Sequence, residues 1–94
     1  MRKYELVCLI QPDLDEAAVN GVVDRVKSWV NESGGTIDKI DMWGKRRLAY
    51  TIRKQRESTY VLFNVSMLPT ATSGLEQNLR YTETVMRHML TLVA

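Results

Sequence analysis

Seven cations, Lys39, Lys45, Arg46, Arg47, Arg53, Lys54 and Arg56, fall within eighteen residues of this chain against one acid, Asp41, and Trp43 and Tyr50 are interleaved among them. Lysine and arginine neutralise phosphates and release condensed counterions, and aromatic rings stack on unpaired bases. A solvated charged hairpin with its rings packed on a sheet has the same composition, so composition alone leaves both readings open. The other reactive side chains do not converge. His88 is the one histidine and stands beside Arg87, with no carboxylate partner signalled by spacing, so acid–base catalysis lacks a second group. Cys8 is the one cysteine, which excludes an internal disulfide and a cysteine-based zinc site. With no activating neighbour it reads as a packed strand residue. Gly34-Gly35 follows an apolar-periodic segment instead of preceding one, and is therefore a helix stop, not a phosphate loop. Asp13 and Asp15 read as helix caps. No catalytic set, metal constellation or cofactor motif is present in the sequence.

Charge along the chain sharpens the contrast. The formal net charge of +2 hides a partition in which residues 1–34 carry −2, residues 35–57 carry +4 and residues 58–94 carry zero. Local excess, rather than the total, is what attracts a polyanion. Ninety-four residues make one domain, 1–94, able to bury roughly 60 to 65% of its unfolded surface. That supports a sheet with one layer of helices and leaves little room for a deep active-site cavity. At 45% apolar and 26% charged, the composition is that of an ordinary globular protein. The apolar run near the N-terminus is too short for a signal peptide, and no stretch approaches the ~20 apolar residues that span a bilayer. A cytoplasmic protein without a membrane partner is expected.

The elements that must position these residues follow from periodicity. Residues 4–10 are apolar except for Glu5 and form a central strand, ended by Pro12. Asp13 or Asp15 then caps a helix of about five turns, on which Ala18, Val19, Val22, Val23, Val26, Trp29 and Val30 share an arc of about 140°. Residues 36–43 alternate loosely as an edge strand, and 50–53 continue it beyond Gly44, with Lys45-Arg46-Arg47 between. Residues 55–58 read as a polar turn. Residues 60–68 form the second strong strand, with Val61, Phe63, Val65 and Met67 on one face and Tyr60, Leu62, Asn64 and Ser66 on the other. A helix over 70–81 buries Ala71, Leu75 and Leu79, with Ser73 and Glu76 at capping-box spacing. Residues 84–93 form the last strand. Strand, helix, strand, strand, helix, strand with right-handed crossovers gives an α+β ferredoxin-like, split βαβ sandwich: a four-stranded antiparallel sheet with two helices on one face. Its other face is open and needs a partner or water.

The chain also carries a recognisable pattern. It opens on an R-K-Y-E strand and a Pro-Asp-Leu-Asp turn, passes through Gly34-Gly35 and Trp43-Gly44-Lys45-Arg46-Arg47-Leu48-Ala49-Tyr50-Thr51-Ile52-Arg53-Lys54, and continues with a Tyr-Val-Leu-Phe strand. Leu79-Arg80-Tyr81 and Val85-Met86-Arg87-His88 close it. Order and spacing resemble the family of the sixth protein of the bacterial small ribosomal subunit over essentially the whole chain. The resemblance implies a ferredoxin-like fold and no enzymatic activity. It also implies binding to the central domain of small-subunit ribosomal RNA, as a heterodimer with the eighteenth small-subunit protein. On that reading the RNA-binding candidates are Arg2, Lys3, Tyr4, Lys45, Arg46, Arg47, Arg53, Lys54, Arg56, Arg87 and His88. The partner-binding candidates are Trp43, Tyr50, Tyr60 and Leu62. Arg2, Tyr4 and Arg87 match sites on the family's RNA-facing side, and the groups at the ends of the chain are expected to line one continuous surface. The family commonly has proline at the position of Thr51 and glycine at that of Ser58, taken to be the hairpin tip. Many members also carry a tail beyond the position of Ala94, and a partner contact made by such a tail is not expected here.

Two other functional classes fit these residues less well. A small regulatory module that binds a metabolite and dimerises through its sheet does not account for the concentration of charge in residues 35–57. A phosphate-ester or acyl-phosphate hydrolase needs an anion-cradling loop after the first strand, where Gln11-Pro12-Asp13 is acidic and lacks glycine. No small-molecule substrate is expected.

Overall fold

The computed structural model describes residues 1–93; Ala94, the last residue of the expected domain 1–94, lies outside them. The element order is β1 (Arg2–Ile10), α1 (Glu16–Glu32), β2 (Thr36–Ile52), β3 (Gln55–Met67), a 3-10 turn (Pro69–Ala71), α2 (Thr72–Arg80) and β4 (Val85–Leu92). The strands form one sheet in the order β2-β3-β1-β4 with every pairing antiparallel. Alternation then assigns side chains to faces. Leu6, Cys8 and Ile10 of β1 and Val61, Phe63, Val65 and Met67 of β3 point to one side. There they form a single buried cluster with Val19, Val22, Val23, Val26 and Val30 of α1 and Leu75 and Leu79 of α2. Both helices therefore cover the same face, as the ferredoxin-like expectation requires.

Local chemistry explains the helix boundaries and corrects two expectations. Asp15, rather than Asp13, caps α1: its Oδ1 accepts from the Ala18 amide at 2.8 Å. Ala18 itself is exposed, because the buried stripe begins one residue later at Val19. Gly34 adopts φ 87°, a left-handed C-terminal stop in which the Gly35 amide donates to the Val30 carbonyl at 2.9 Å. The second helix starts differently from the expected capping box. Pro69 opens a tight 3-10 turn directly after β3, Ala71 stands at the N-cap with no side-chain bond, and Ser73 falls inside the helix.

The β2–β3 hairpin holds the largest departure. Residues 55–58 are not a turn: β3 begins at Gln55, and the turn is the pair Arg53-Lys54, flanked by the Ile52–Gln55 pairing. Both turn residues have positive φ, 50° and 65°, the conformation of a two-residue hairpin turn that asparagine and glycine normally occupy. Ser58 is consequently far from the tip. It is fully buried and its hydroxyl donates to the Ile10 carbonyl at 2.9 Å. Strand β2 runs unbroken through Lys45-Arg46-Arg47, which pair with Thr59, Ser58 and Glu57. It then arches: residues 48–51 stand opposite Arg56 alone, between the Arg47–Glu57 and Ile52–Gln55 pairs. Thr51 lies in this arch, outside the ladder, so the proline common at its position would sacrifice no ladder bond.

The strained turn yields a stability prediction. A non-glycine residue in the left-handed region costs about 1–2 kcal/mol, partly offset in glycine by its greater unfolded-state freedom. Lys54→Gly is expected to raise stability by about 0.5–1 kcal/mol, seen as a melting temperature higher by several degrees. A lower melting temperature would mean that the Lys54 side chain contributes contacts outweighing the strain.

Candidate nucleic-acid and partner interface

The cationic residues of the hairpin are exposed, and among the described residues Lys39 alone of them stands in an ion pair. Lys39 lies 3.7 Å from Asp41, an exposed pair of small energetic consequence. Among the described residues, Lys45, Arg46, Arg47, Lys54 and Arg56 have no carboxylate within ion-pair distance. Lys45, Lys54 and Arg56 line an open cleft of about 440 Å³ with Pro12, Asp13, Gln55 and Glu57, where the hairpin passes the β1–α1 loop. Arg47 and Arg56 border a second hollow of about 280 Å³ under the arch. Each hollow is shallow and polar, which suits a ribose–phosphate chain better than a small apolar ligand.

The hairpin does not project freely. Its tip is tied to the start of β4, where Arg53 donates from Nη1 to the Glu83 carbonyl at 2.7 Å and from Nη2 to the Val85 carbonyl at 3.3 Å. The arch is tied a second time, because Arg87 Nη1 donates to the Tyr50 hydroxyl at 2.5 Å. Arg53 and Tyr50 therefore hold the hairpin across the end of the open sheet face. That cover explains Leu9, which points to the open face opposite Tyr60 and Arg87 yet is only 4% exposed. Leu9, Leu48, Ala49, Tyr50, Ile52 and Met89 contribute to a hollow of about 170 Å³ there.

All four partner candidates lie on or over this face. Tyr60 and Leu62 point outward from β3, opposite Leu9 and Val7. Trp43, the extra residue of a bulge between Met42 and Gly44, stacks on Tyr60 with ring centroids 6.2 Å apart and planes 9° apart. Gly44 completes the bulge with φ 75°, a conformation that favours glycine. Tyr50 arrives from the arch. Met89, 44% exposed beside Val7, belongs to the same apolar face and was not singled out by the sequence; the alternation Arg87, Met89, Thr91 on β4 carried the signal.

The candidates near the chain ends are not brought onto one surface. Pairing of Arg2 with Met67, Tyr4 with Val65 and His88 with Cys8 places these three on the helix-covered side, and Tyr4 packs against the core. Lys3 and Arg87 point to the open side, opposite Ser66 and Leu9. Tyr4 and Arg87 are also separated along β1 by five residues, about 17 Å. The expected continuous surface is therefore two faces and two ends of the sheet, because strand alternation sends neighbours in sequence to opposite sides. His88 has a carboxylate neighbour that the sequence did not signal: its Nε2 lies 3.8 Å from Glu76 Oε1 on α2. Cys8 is fully buried, and burial pushes its thiol up to about 12, so it stays protonated and inert at neutral pH. Among the described residues no group of three or more His, Cys, Asp and Glu side chains is placed to hold a metal ion, and no helix is long and apolar enough to cross a membrane.

Comparison with known proteins agrees with this geometry. Residues 3–91 match the family model described as ribosomal protein S6. The small ribosomal subunit protein bS6 of Clostridium botulinum (strain 657 / Type Ba4) is 42% identical over 90 residues, covering 96% of each chain. The corresponding protein of Desulforamulus reducens is 39% identical over 90 residues, covering 96% of this chain and 95% of that one. The crystal structure of 30S ribosomal protein S6 from Thermotoga maritima superposes with a TM-score of 0.93 at 30% identity, covering 98% of this chain and 87% of that one. A four-stranded antiparallel sheet under two helices, the basic hairpin, and a family match across nearly the whole length lead to one assignment: the chain belongs to the ribosomal protein S6 family of the small ribosomal subunit.

Proposed function

We propose that this chain is a non-catalytic constituent of the small subunit that binds the central domain of its ribosomal RNA through the basic hairpin, with the eighteenth small-subunit protein seated on the open sheet face. The observation that carries the reading is the division of labour around one hairpin. Among the described residues Lys45, Arg46, Arg47, Lys54 and Arg56 are exposed without carboxylate partners on its stem and tip, while Trp43, Tyr50, Tyr60 and Leu62 gather on the adjoining face. Unpaired cations suit phosphates, whereas an aromatic and aliphatic face suits a protein surface. Arg2, Lys3 and Tyr4 lie at the far end of β1 and would meet a separate stretch of RNA. Residues 1–94 act as one domain in the cytoplasm, on the ribosome, with no cofactor, membrane or small-molecule substrate.

The test is the salt dependence of binding to a transcript of the central domain, with the eighteenth protein present. Four to six neutralised phosphates give a log–log slope of about −3 to −5, at ~0.7–0.9 per contact. A slope near zero, or no binding at any salt, contradicts the reading.

A further inference from the structure

Arg53 and Lys54, adjacent in the turn, enter two different hollows at the same end of the sheet. Lys54 lines the 440 Å³ cleft beside the β1–α1 loop. Arg53 lines a hollow of about 220 Å³ at the edge of β4, with Arg80, Arg87 and His88 around it and Leu79, Val85 and Met86 at its floor. Arginines from three separate elements, the hairpin tip, the last turn of α2 and β4, thus line one small space. Among the described residues none of the three has a carboxylate within ion-pair distance; Glu76 is the neighbour of His88, and Glu83 meets Arg53 through its backbone carbonyl. Two of the three are held in place by neutral acceptors. Arg53 is fixed by the Glu83 and Val85 carbonyls and Arg87 by the Tyr50 hydroxyl, which orient the groups and leave their charge uncompensated. Arg80 is exposed, and no hydrogen bond or ion pair engages its side chain among the described residues.

We propose that the β4-edge hollow formed by Arg53, Arg80 and Arg87 binds a backbone phosphate of RNA, and that the Arg53-Lys54 turn joins it to the hairpin cleft as one phosphate track. Guanidinium groups present planar donor arrays that match phosphate oxygens, so a hollow lined by three arginines suits the monoanionic phosphate of an RNA backbone. The hollow lies at β4, an edge strand of the sheet. The site rests on the RNA-binding reading above and adds Arg80, a residue outside the hairpin, to the interface.

Arg80→Gln tests it without touching hairpin or sheet. With the central-domain transcript and the eighteenth protein, the log–log salt slope should become shallower by ~0.7–0.9, and affinity at 0.1 M salt should fall about five- to eightfold. Arg80→Lys should keep the wild-type slope, and Lys27→Gln on the outer side of α1 should leave it unchanged. An unchanged slope in Arg80→Gln beside a steep wild-type slope overturns the site while leaving the wider reading intact. Absence of binding by the wild type overturns both. Should Arg80→Gln fail to fold, the wild-type chain decides: on titration with inorganic phosphate, the side-chain Nε–H resonances of Arg80 and Arg87 should shift saturably while that of Arg25 on α1 does not. Equal small shifts at all arginines would overturn the site.

Discussion

Replacing Lys45, Arg46, Arg47 and Arg56 together by glutamine is expected to lower affinity for the central-domain RNA about a thousandfold at 0.1 M salt and to shift the log–log slope by about 3. The magnitude follows from counterion release. Each neutralised phosphate contributes ~0.7–0.9 decades between 0.1 M and 1 M salt, and four such contacts give about three decades. Stability should move little. All four side chains are exposed, and none is engaged by a carboxylate among the described residues. Exposed substitutions of this kind usually stay within about 0.5 kcal/mol each. Thermal unfolding followed beside RNA titration separates the two effects. A folded variant that loses less than tenfold in affinity would remove the hairpin stem from the RNA interface. A collapse in melting temperature would instead make these cations structural.

The largest stability effect is expected at Gly35. A Cβ built there would stand 2.6 Å from the Ser66 carbonyl oxygen, 3.0 Å from Met67 Cγ and 3.1 Å from Val30 Cγ1. The oxygen belongs to the backbone of β3 and cannot move without disturbing the sheet, so Gly35→Ala should cost about 3 kcal/mol, the upper range of overpacking. For a domain of this size the melting temperature should fall by about 12–24 °C. Gly34→Ala makes the informative comparison. Nothing lies within 4 Å of a Cβ there, so only the φ of 87° opposes it, at about 1 kcal/mol. Equal losses at the two positions would contradict this account of their separate roles.

That pair of glycines illustrates how far the sequence can be read. The stop after α1 is visible as Gly34-Gly35, but one glycine serves backbone conformation and the other serves a close approach between α1 and β3. Only tertiary packing distinguishes them. The strand–helix order and the buried faces of α1 and β3 follow from periodicity, because Val19 to Val30 and Val61 to Met67 repeat at the helical and strand spacings. The hairpin resisted reading for a physical reason. Its turn uses Arg53-Lys54 where left-handed turns usually carry asparagine or glycine, so local sequence points to the polar residues after it as the turn and to Ser58 as a tip it does not occupy. Of the interface, the basic cluster and the aromatic set Trp43, Tyr50 and Tyr60 were legible in residue type. The face of each terminal candidate depended on strand register, and Arg80 depended on where α2 ends relative to β4. Neither is written in local sequence.

The central claim, that the hairpin side of this fold meets small-subunit RNA while its open face meets a protein, is tested most directly by ultraviolet crosslinking in cells that make the chain as their own, followed by sequencing of the attached RNA and identification of co-purifying proteins. Fragments of the central domain of small-subunit ribosomal RNA should dominate, crosslinked peptides should map to the hairpin, and the eighteenth small-subunit protein should co-purify. Recovery of RNA without enrichment of that domain, or crosslinked peptides confined to the helix-covered side, would contradict the account.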